Sequence, residues 1–194
     1  MNLIHFLLIL LSAFPLLATL LLGYQLFRNG QGALGKPTIT PWLFFSSKII
    51  VALLFTVLLI ASVDPDLFWW LPWRLQNEIP EVQRLMSAVF LAAGNLFLIP
   101  AYFTMSIFTR VGLPVSAHAL KTDGVYRISR NPMYLSFWFF SVACFLLVPS
   151  LLPAILTLYC LVVHHFIIRN EEKFLENSFG DQYRSYKNRV ARYL

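Results

Sequence analysis

The sequence predicts an all-α integral membrane protein of five transmembrane helices, and three observations carry that prediction. Hydrophobic residues make up 58% of the 194 and charged residues only 12%, about half the charged fraction usual in a water-soluble domain. The apolar residues are pooled into long runs, which identifies lipid as their solvent. The basic residues gather at alternate connections between those runs, as expected of a chain threading back and forth through a bilayer.

The first run, residues 3–27, carries no formal charge and is long enough to cross a hydrocarbon core. It contains Pro15, a site for a bend. The N-terminal segment has neither a basic n-region nor a small-residue cleavage site, so it reads as a retained span and not a signal peptide. A polar, glycine-rich connection follows. The second run is 42–63, with Lys48 near its start, where a long side chain is expected to snorkel to the interface. The next loop holds Trp69, Trp70 and Trp73, suited to an aromatic belt at the membrane surface. The third run is 85–109, with Gly94 and Pro100 as candidate kink sites.

The fourth region decides the topology. From Asn131 to Ile168 no formally charged residue occurs, too long a stretch for one span of about 20 residues. Pro149 and Pro153 interrupt it, and proline both lacks a donor and clashes with the preceding turn. The reading is a tight helical hairpin, 131–148 and 151–168, each arm slightly short for a full crossing; the alternative is one very long, kinked helix. Five spans put every Lys and Arg except Arg74 and Arg84 on one face. A single long helix would place the basic tail opposite the third connection. Basic connections face the cytoplasm, so the N-terminus is expected outside and the C-terminus in the cytoplasm.

The polar tail carries an apolar stripe, Leu175, Phe179, Tyr183, Tyr186 and Val190, at helical spacing that Gly180 interrupts. It predicts a helix lying against the membrane or the third connection. Cys144 and Cys160 sit inside apolar runs, and no spacing of ligand residues suggests a metal site or a disulfide framework. The glycines of the first connection do not follow a strand, which weakens a nucleotide-loop reading. The basic face fits anionic headgroups better than nucleic acid.

Two constellations carry chemistry. In the third connection, Thr122-Asp123-Gly124 is a turn signal in which Gly124 allows a positive φ. Asn131 is a natural N-cap with Pro132 at the first helical position. The free N–H groups of such a helix start favour an anionic ligand group. The second constellation is Arg169, Asn170, Glu171 and Glu172 at the end of the fifth run. Adjacent carboxylates there are either solvated interface residues or partners for an amine or hydroxyl. Their spacing does not say which one faces inward.

Taken in order, His118-x5-Gly124-x-Tyr126-x3-Arg130-Asn131-Pro132-x-Tyr134, then Arg169-Asn170-Glu171-Glu172, then Phe179-Gly180-x2-Tyr183-x2-Tyr186 resembles the isoprenylcysteine carboxyl methyltransferase family. The chain is similar to its small prokaryotic, five-span members over roughly residues 85–189. The resemblance divides the single membrane domain into two motif-free spans, 1–84, and a methyltransferase-like core, 85–194, with a cytoplasmic cofactor site. It implies S-adenosyl-L-methionine as methyl donor, S-adenosyl-L-homocysteine as product, and a lipophilic prenylated cysteine carboxylate as acceptor. By matching position it implies a cofactor site of His118, Ala119, Leu120, Lys121, Tyr126, Arg130, Asn131, Pro132, Met133, Tyr134 and one of Glu171 and Glu172, with Glu172 favoured. Arg169 becomes the partner of the acceptor carboxylate, with Tyr134 beside it as the other catalytic position. Asn131 departs from the histidine commoner at that place in the family.

His164 and His165 sit near the end of the fifth run, where one of them is in reach of the cofactor. Three other readings stay open: methylation of a phospholipid amine or another small lipid, hydride transfer from NADPH as in sterol reductases, and a non-enzymatic membrane protein. The paired glutamates and the short chain favour the methyltransferase over the reductase. The lack of an ionisable residue in the middle of any run argues against a transport path.

Overall fold

The computed structural model describes residues 3–30, 35–76, 78–105 and 119–194. Its architecture is helical: α1 (Leu3–Arg28), α2 (Pro41–Val63), α3 (Glu81–Met105), α4 (Pro132–Leu147), α5 (Leu151–Phe179) and α6 (Asp181–Arg189), with short 3-10 turns at Pro65–Phe68 and Gly124–Arg127. Four of these, α1, α2, α3 and α5, are long and apolar enough to cross a membrane. The fifth apolar helix, α4, has 16 residues, about 24 Å at 1.5 Å per residue. Expected and observed boundaries agree closely for α1 and α2. The far end of the third run lies partly outside the described residues.

The hairpin is present. α4 ends at Leu147, Pro149 follows, and Ser150 caps α5 by accepting from the Leu152 N–H. The chain reverses there, so that Tyr134 in the first turn of α4 meets Glu171 late in α5. In one respect α5 differs from its expected form: it continues as one helix to Phe179 instead of ending near Ile168. The charged segment after Ile168 carries Arg169, three glutamates, Lys173 and Leu175, good helix formers that need no lipid to stay helical. Gly180, at φ 50°, stops α5 and turns the chain into α6.

The core runs between α1, α2, α3 and α4, around Leu54, Leu58, Leu91, Leu98, Phe140 and Leu147. Packing of α3 on α4 depends on Gly94, because a Cβ there would come within 2.5 Å of the Phe140 ring. Buried Asn95 bridges two helices, giving its amide to the carbonyls of Leu11 and Leu91. A polar group in an apolar span is stable only with such partners. Trp69, Trp70 and Trp73 are exposed in the second connection.

The connections sort into two groups by contact. At one end the second connection is tied to the hairpin turn: Leu75 N–H donates to the Pro149 carbonyl, Leu151 N–H to that of Trp73, and Ser150 Oγ to that of Pro72. At the other end the Asn170 amide reaches the Thr38 carbonyl of the first connection, at 2.8 Å. There too the tail meets the third connection. Tyr126, Tyr183 and Tyr186 are buried together against Ala101, with Leu120, Val125, Leu175, Phe179 and Val190 around them. The apolar stripe of the tail therefore covers the third connection, the second of the two placements expected for it.

Candidate active site

The third connection delivers the start of α4 to the end of α5. Gly124 adopts φ 58° at the turn that opens it, as the turn signal required. Tyr126 is buried behind that turn, and its carbonyl accepts a 2.6 Å bond from the Tyr186 hydroxyl. Burial pushes the Tyr186 hydroxyl up to about 12, so it remains a donor at neutral pH. Ser129 is fully buried and spans the next step, accepting from the Asn131 N–H and donating to the Arg192 carbonyl. Pro132 opens α4 as expected. Asn131 occupies the N-cap position, but its side chain makes no capping bond. Its amide is drawn away to Glu172 Oε1 and the Arg192 carbonyl, both at 3.2 Å. The N–H groups of Met133 and Tyr134 are thereby left without the expected side-chain acceptor.

Glu172 is enclosed. Its side chain is 6% exposed and lies between two guanidinium groups. Arg130 reaches Oε1 through Nε at 3.1 Å and NH2 at 3.0 Å. Arg192 reaches Oε2 through Nε at 3.0 Å and NH2 at 2.8 Å. Each guanidinium thus closes two N–H groups onto one oxygen, so that both oxygens of the carboxylate carry charge-assisted bonds. The hydrogen bonds that Arg192 donates to Glu172 raise its guanidinium above its ordinary value. Arg130 also donates NH1 to the carbonyls of Val190 and Lys187, and its backbone N–H bonds the Ala191 carbonyl. Tyr193 then lies against the Trp138 ring and takes a 2.7 Å hydrogen bond with His165 Nδ1. The effect is a clamp that fastens the tail to the start of α4.

Glu171 sits differently. It is half-buried, and Tyr134 donates its hydroxyl to Oε1 at 2.9 Å. Seven residues earlier on the same face of α5, His164 is fully buried, with its ring 5.1 Å from that of Tyr134. Neither ring nitrogen of His164 has a hydrogen-bond partner among the described residues. From α2, the Lys48 ammonium lies 4.7 Å over the Tyr134 ring and 5.3 Å over that of Phe44. The expected snorkelling of Lys48 is not what the structure has. Phe44, buried with Val163 and Ile167 at the junction of α2 and α5, stands one turn before Lys48 and shares its inward face.

The sequence-derived residues thus fall into distinct settings. Arg130, Asn131 and Glu172 form the clamp, and Tyr134 and Glu171 form the half-open pair beside Lys48 and His164. Tyr126 is buried with the tail tyrosines, Pro132 is buried, and Met133 packs between the bundle core and the tail cluster. Leu120 joins the tail cluster, Ala119 is exposed and Lys121 half-buried. His118 lies outside the described residues. Arg169 is exposed and makes no ion pair among the described residues. Two residues along a helix turn the chain by about 200°, so Arg169 and Glu171 occupy opposite faces of α5. Sequence reasoning missed the role of Arg192, whose partner is 20 residues away, and the inward setting of Lys48. The signal for Lys48 was available: a lone charge inside an apolar run marks a functional position by default.

Comparison with known proteins bears on this geometry. The sequence profile of the family described as phospholipid methyltransferase matches residues 82–182, just over half the chain. A protein-S-isoprenylcysteine O-methyltransferase of Saccharomyces cerevisiae is 40% identical over 79 residues, which is 39% of this chain and 32% of the relative. Methanethiol S-methyltransferase 1 of Bradyrhizobium diazoefficiens is 33% identical over 173 residues, 78% of this chain and 57% of the relative. Protein-S-isoprenylcysteine O-methyltransferase B of Arabidopsis thaliana is 38% identical over 76 residues, 38% of each chain. The chain therefore spans between about a third and just over half of the length of these relatives. No solved structure matches significantly. The match runs from the start of α3 into α6 and takes in Arg130, Asn131, Tyr134, Glu171 and Glu172, and the chain belongs to the phospholipid methyltransferase family, in the part of it that includes the isoprenylcysteine carboxyl methyltransferases.

Proposed function

We propose that the protein is a membrane methyltransferase that takes its methyl group from S-adenosyl-L-methionine and esterifies the carboxylate of a prenylated cysteine or a related lipophilic acid. The observation that carries this reading is the half-buried pair of Glu171 and Tyr134 at the uncapped first turn of α4. The residues present fit the donor. Glu171 offers a carboxylate for the amino group of its methionyl part, and the unspent N–H groups of α4 suit its carboxylate. The donor supplies an activated methyl group on a sulfonium.

The chain's own contribution is alignment. S-adenosyl-L-methionine held by Glu171 and the first turn of α4 would supply a methyl group open to in-line displacement by the acceptor oxygen, with the sulfonium sulfur keeping the electron pair as leaving group. A carboxylate is already deprotonated at neutral pH, so no base is consumed. Holding two reactants in near-attack geometry is worth up to about 7–11 kcal/mol. In this reading Glu171 and Tyr134 fix one reactant, and the clamp holds the wall that keeps water from the reacting atoms.

In the membrane we read five crossings, with α4 as the short fourth, the N-terminus outside and the active site at the cytoplasmic face. The two groups of connected loops support that alternation. Residues 85–194 carry the donor site, and Lys48 of the second span stands beside it over the Tyr134 ring. A second reading has one observation in its favour. His164 has both ring nitrogens unpartnered beside Tyr134, and a neutral imidazole there is a base for a thiol or amine acceptor, which must lose a proton.

Calorimetry on the detergent-purified protein tests the donor, with S-adenosyl-L-methionine, S-adenosyl-L-homocysteine and NADPH titrated in parallel. The expected result is binding of both methyl cofactors and not of NADPH. Binding of NADPH alone would move the chain to the membrane reductases.

A further inference from the structure

Lys48 has a setting that stability does not explain. A lysine kept inside a bundle for structure is paired with a carboxylate or with carbonyl groups, because an isolated ammonium in low dielectric is costly. The Lys48 ammonium makes neither a hydrogen bond nor an ion pair among the described residues, and rests only on the faces of Tyr134 and Phe44. The carboxylate nearest in the arrangement, Glu171, already accepts from Tyr134 and lies beyond ion-pair distance of the ammonium. Beside the same Tyr134 ring stands His164, fully buried with two unpartnered ring nitrogens. An ammonium with three donors and an imidazole with no partner, facing one tyrosine from two helices, make a place for an anion. Around it lie Phe44, Phe137 and Val163, an apolar lining suited to a lipid-soluble molecule.

We infer that Lys48 is the acceptor-side cation, which holds a lipophilic carboxylate against Tyr134 and His164 and selects that anion over a neutral or amine acceptor. The inference rests on the methyltransferase reading, and it divides the site by charge. Glu171 takes the cationic end of one reactant, and Lys48, on α2, takes the anionic head of the other. It gives the motif-free second span a function, and it moves acceptor recognition from Arg169, on the far face of α5, to the interior.

The test is a binding comparison that needs no turnover. An N-acetylated S-farnesyl cysteine and its primary carboxamide, alike except for the charge, are titrated into the full-length protein in detergent, with a farnesylated amine and a farnesylated thiol as further arms. The wild type is expected to prefer the carboxylate over the carboxamide by about tenfold or more, the scale of one charge-assisted hydrogen bond. Lys48→Met is expected to lose that preference while binding the carboxamide within about twofold of wild type, and Lys48→Arg to retain it. Lys48→Gln, which keeps a polar side chain, supplies the same comparison if Lys48→Met does not fold. A preference that survives removal of the charge, or a wild type that favours the amine or thiol arm, overturns the inference. S-adenosyl-L-homocysteine affinity, read in the same preparations, reports separately on the donor reading. It is expected to hold or rise in Lys48→Met, since a cation near Glu171 is removed.

Discussion

Glu171 and Glu172 are neighbours in sequence and opposite in circumstance. Glu172 is sealed between Arg130 and Arg192, with Asn131 on the same oxygen as Arg130. Glu171 is half-buried and accepts from the Tyr134 hydroxyl, and Lys48 and His164 stand against the Tyr134 ring. One helical step of about 100° separates them. The difference teaches that an adjacent acidic pair is not a redundant unit. The saturated carboxylate fastens the tail over the end of the bundle, and the unsaturated one remains available to a ligand.

The comparison breaks in graded ways. The largest expected effect belongs to the clamp: Glu172→Ala leaves the buried Arg130 guanidinium and the partly exposed Arg192 guanidinium without their carboxylate, a loss of up to about 3–5 kcal/mol. Thermal unfolding in detergent is expected to show it, together with faster proteolysis in the tail. An unchanged melting temperature would mean that the clamp contributes nothing. Next is Glu171→Gln, expected to weaken S-adenosyl-L-homocysteine binding by about 10- to 100-fold, the range of a hydrogen bond to a charged group, with little change in melting temperature. Tyr134→Phe removes the hydroxyl that donates to Glu171, and about a tenfold loss of S-adenosyl-L-homocysteine affinity or less is expected in the same titration. The smallest effect is that of Tyr193→Phe. It deletes one hydrogen bond to His165 at the edge of the clamp and is expected to cost about 1 kcal/mol or less, read as a small drop in melting temperature.

Much of the fold is legible in the sequence because hydropathy and proline report directly on it. The apolar runs became α1, α2 and α3, and the Pro149–Pro153 interruption became the turn between α4 and α5. The full length of α5 was not legible. The charges after Ile168 mark where lipid ends, but they do not end a helix; Gly180 does. The tail stripe was readable as a face, and the structure names the surface it covers.

The site was legible in its parts and not in their division of labour. The segment from Arg130 to Tyr134 and the paired glutamates were both singled out, and both lie where α4 meets α5. What separates Glu171 from Glu172 is Arg192, a residue with no local signal that acts only once α6 has folded back. The diversion of the Asn131 amide from capping to the clamp has the same cause. Lys48 escaped because its sequence neighbours describe a membrane edge, whereas its spatial neighbours come from α4 and α5.

The measurement that tests the central claim most directly is S-adenosyl-L-homocysteine binding to Glu171→Gln and Glu172→Gln, titrated side by side with the melting temperature of each. The account predicts that Glu171→Gln melts like the wild type and loses most of its donor affinity, whereas Glu172→Gln melts lower. A Glu171→Gln protein that binds the donor as tightly as the wild type would contradict it.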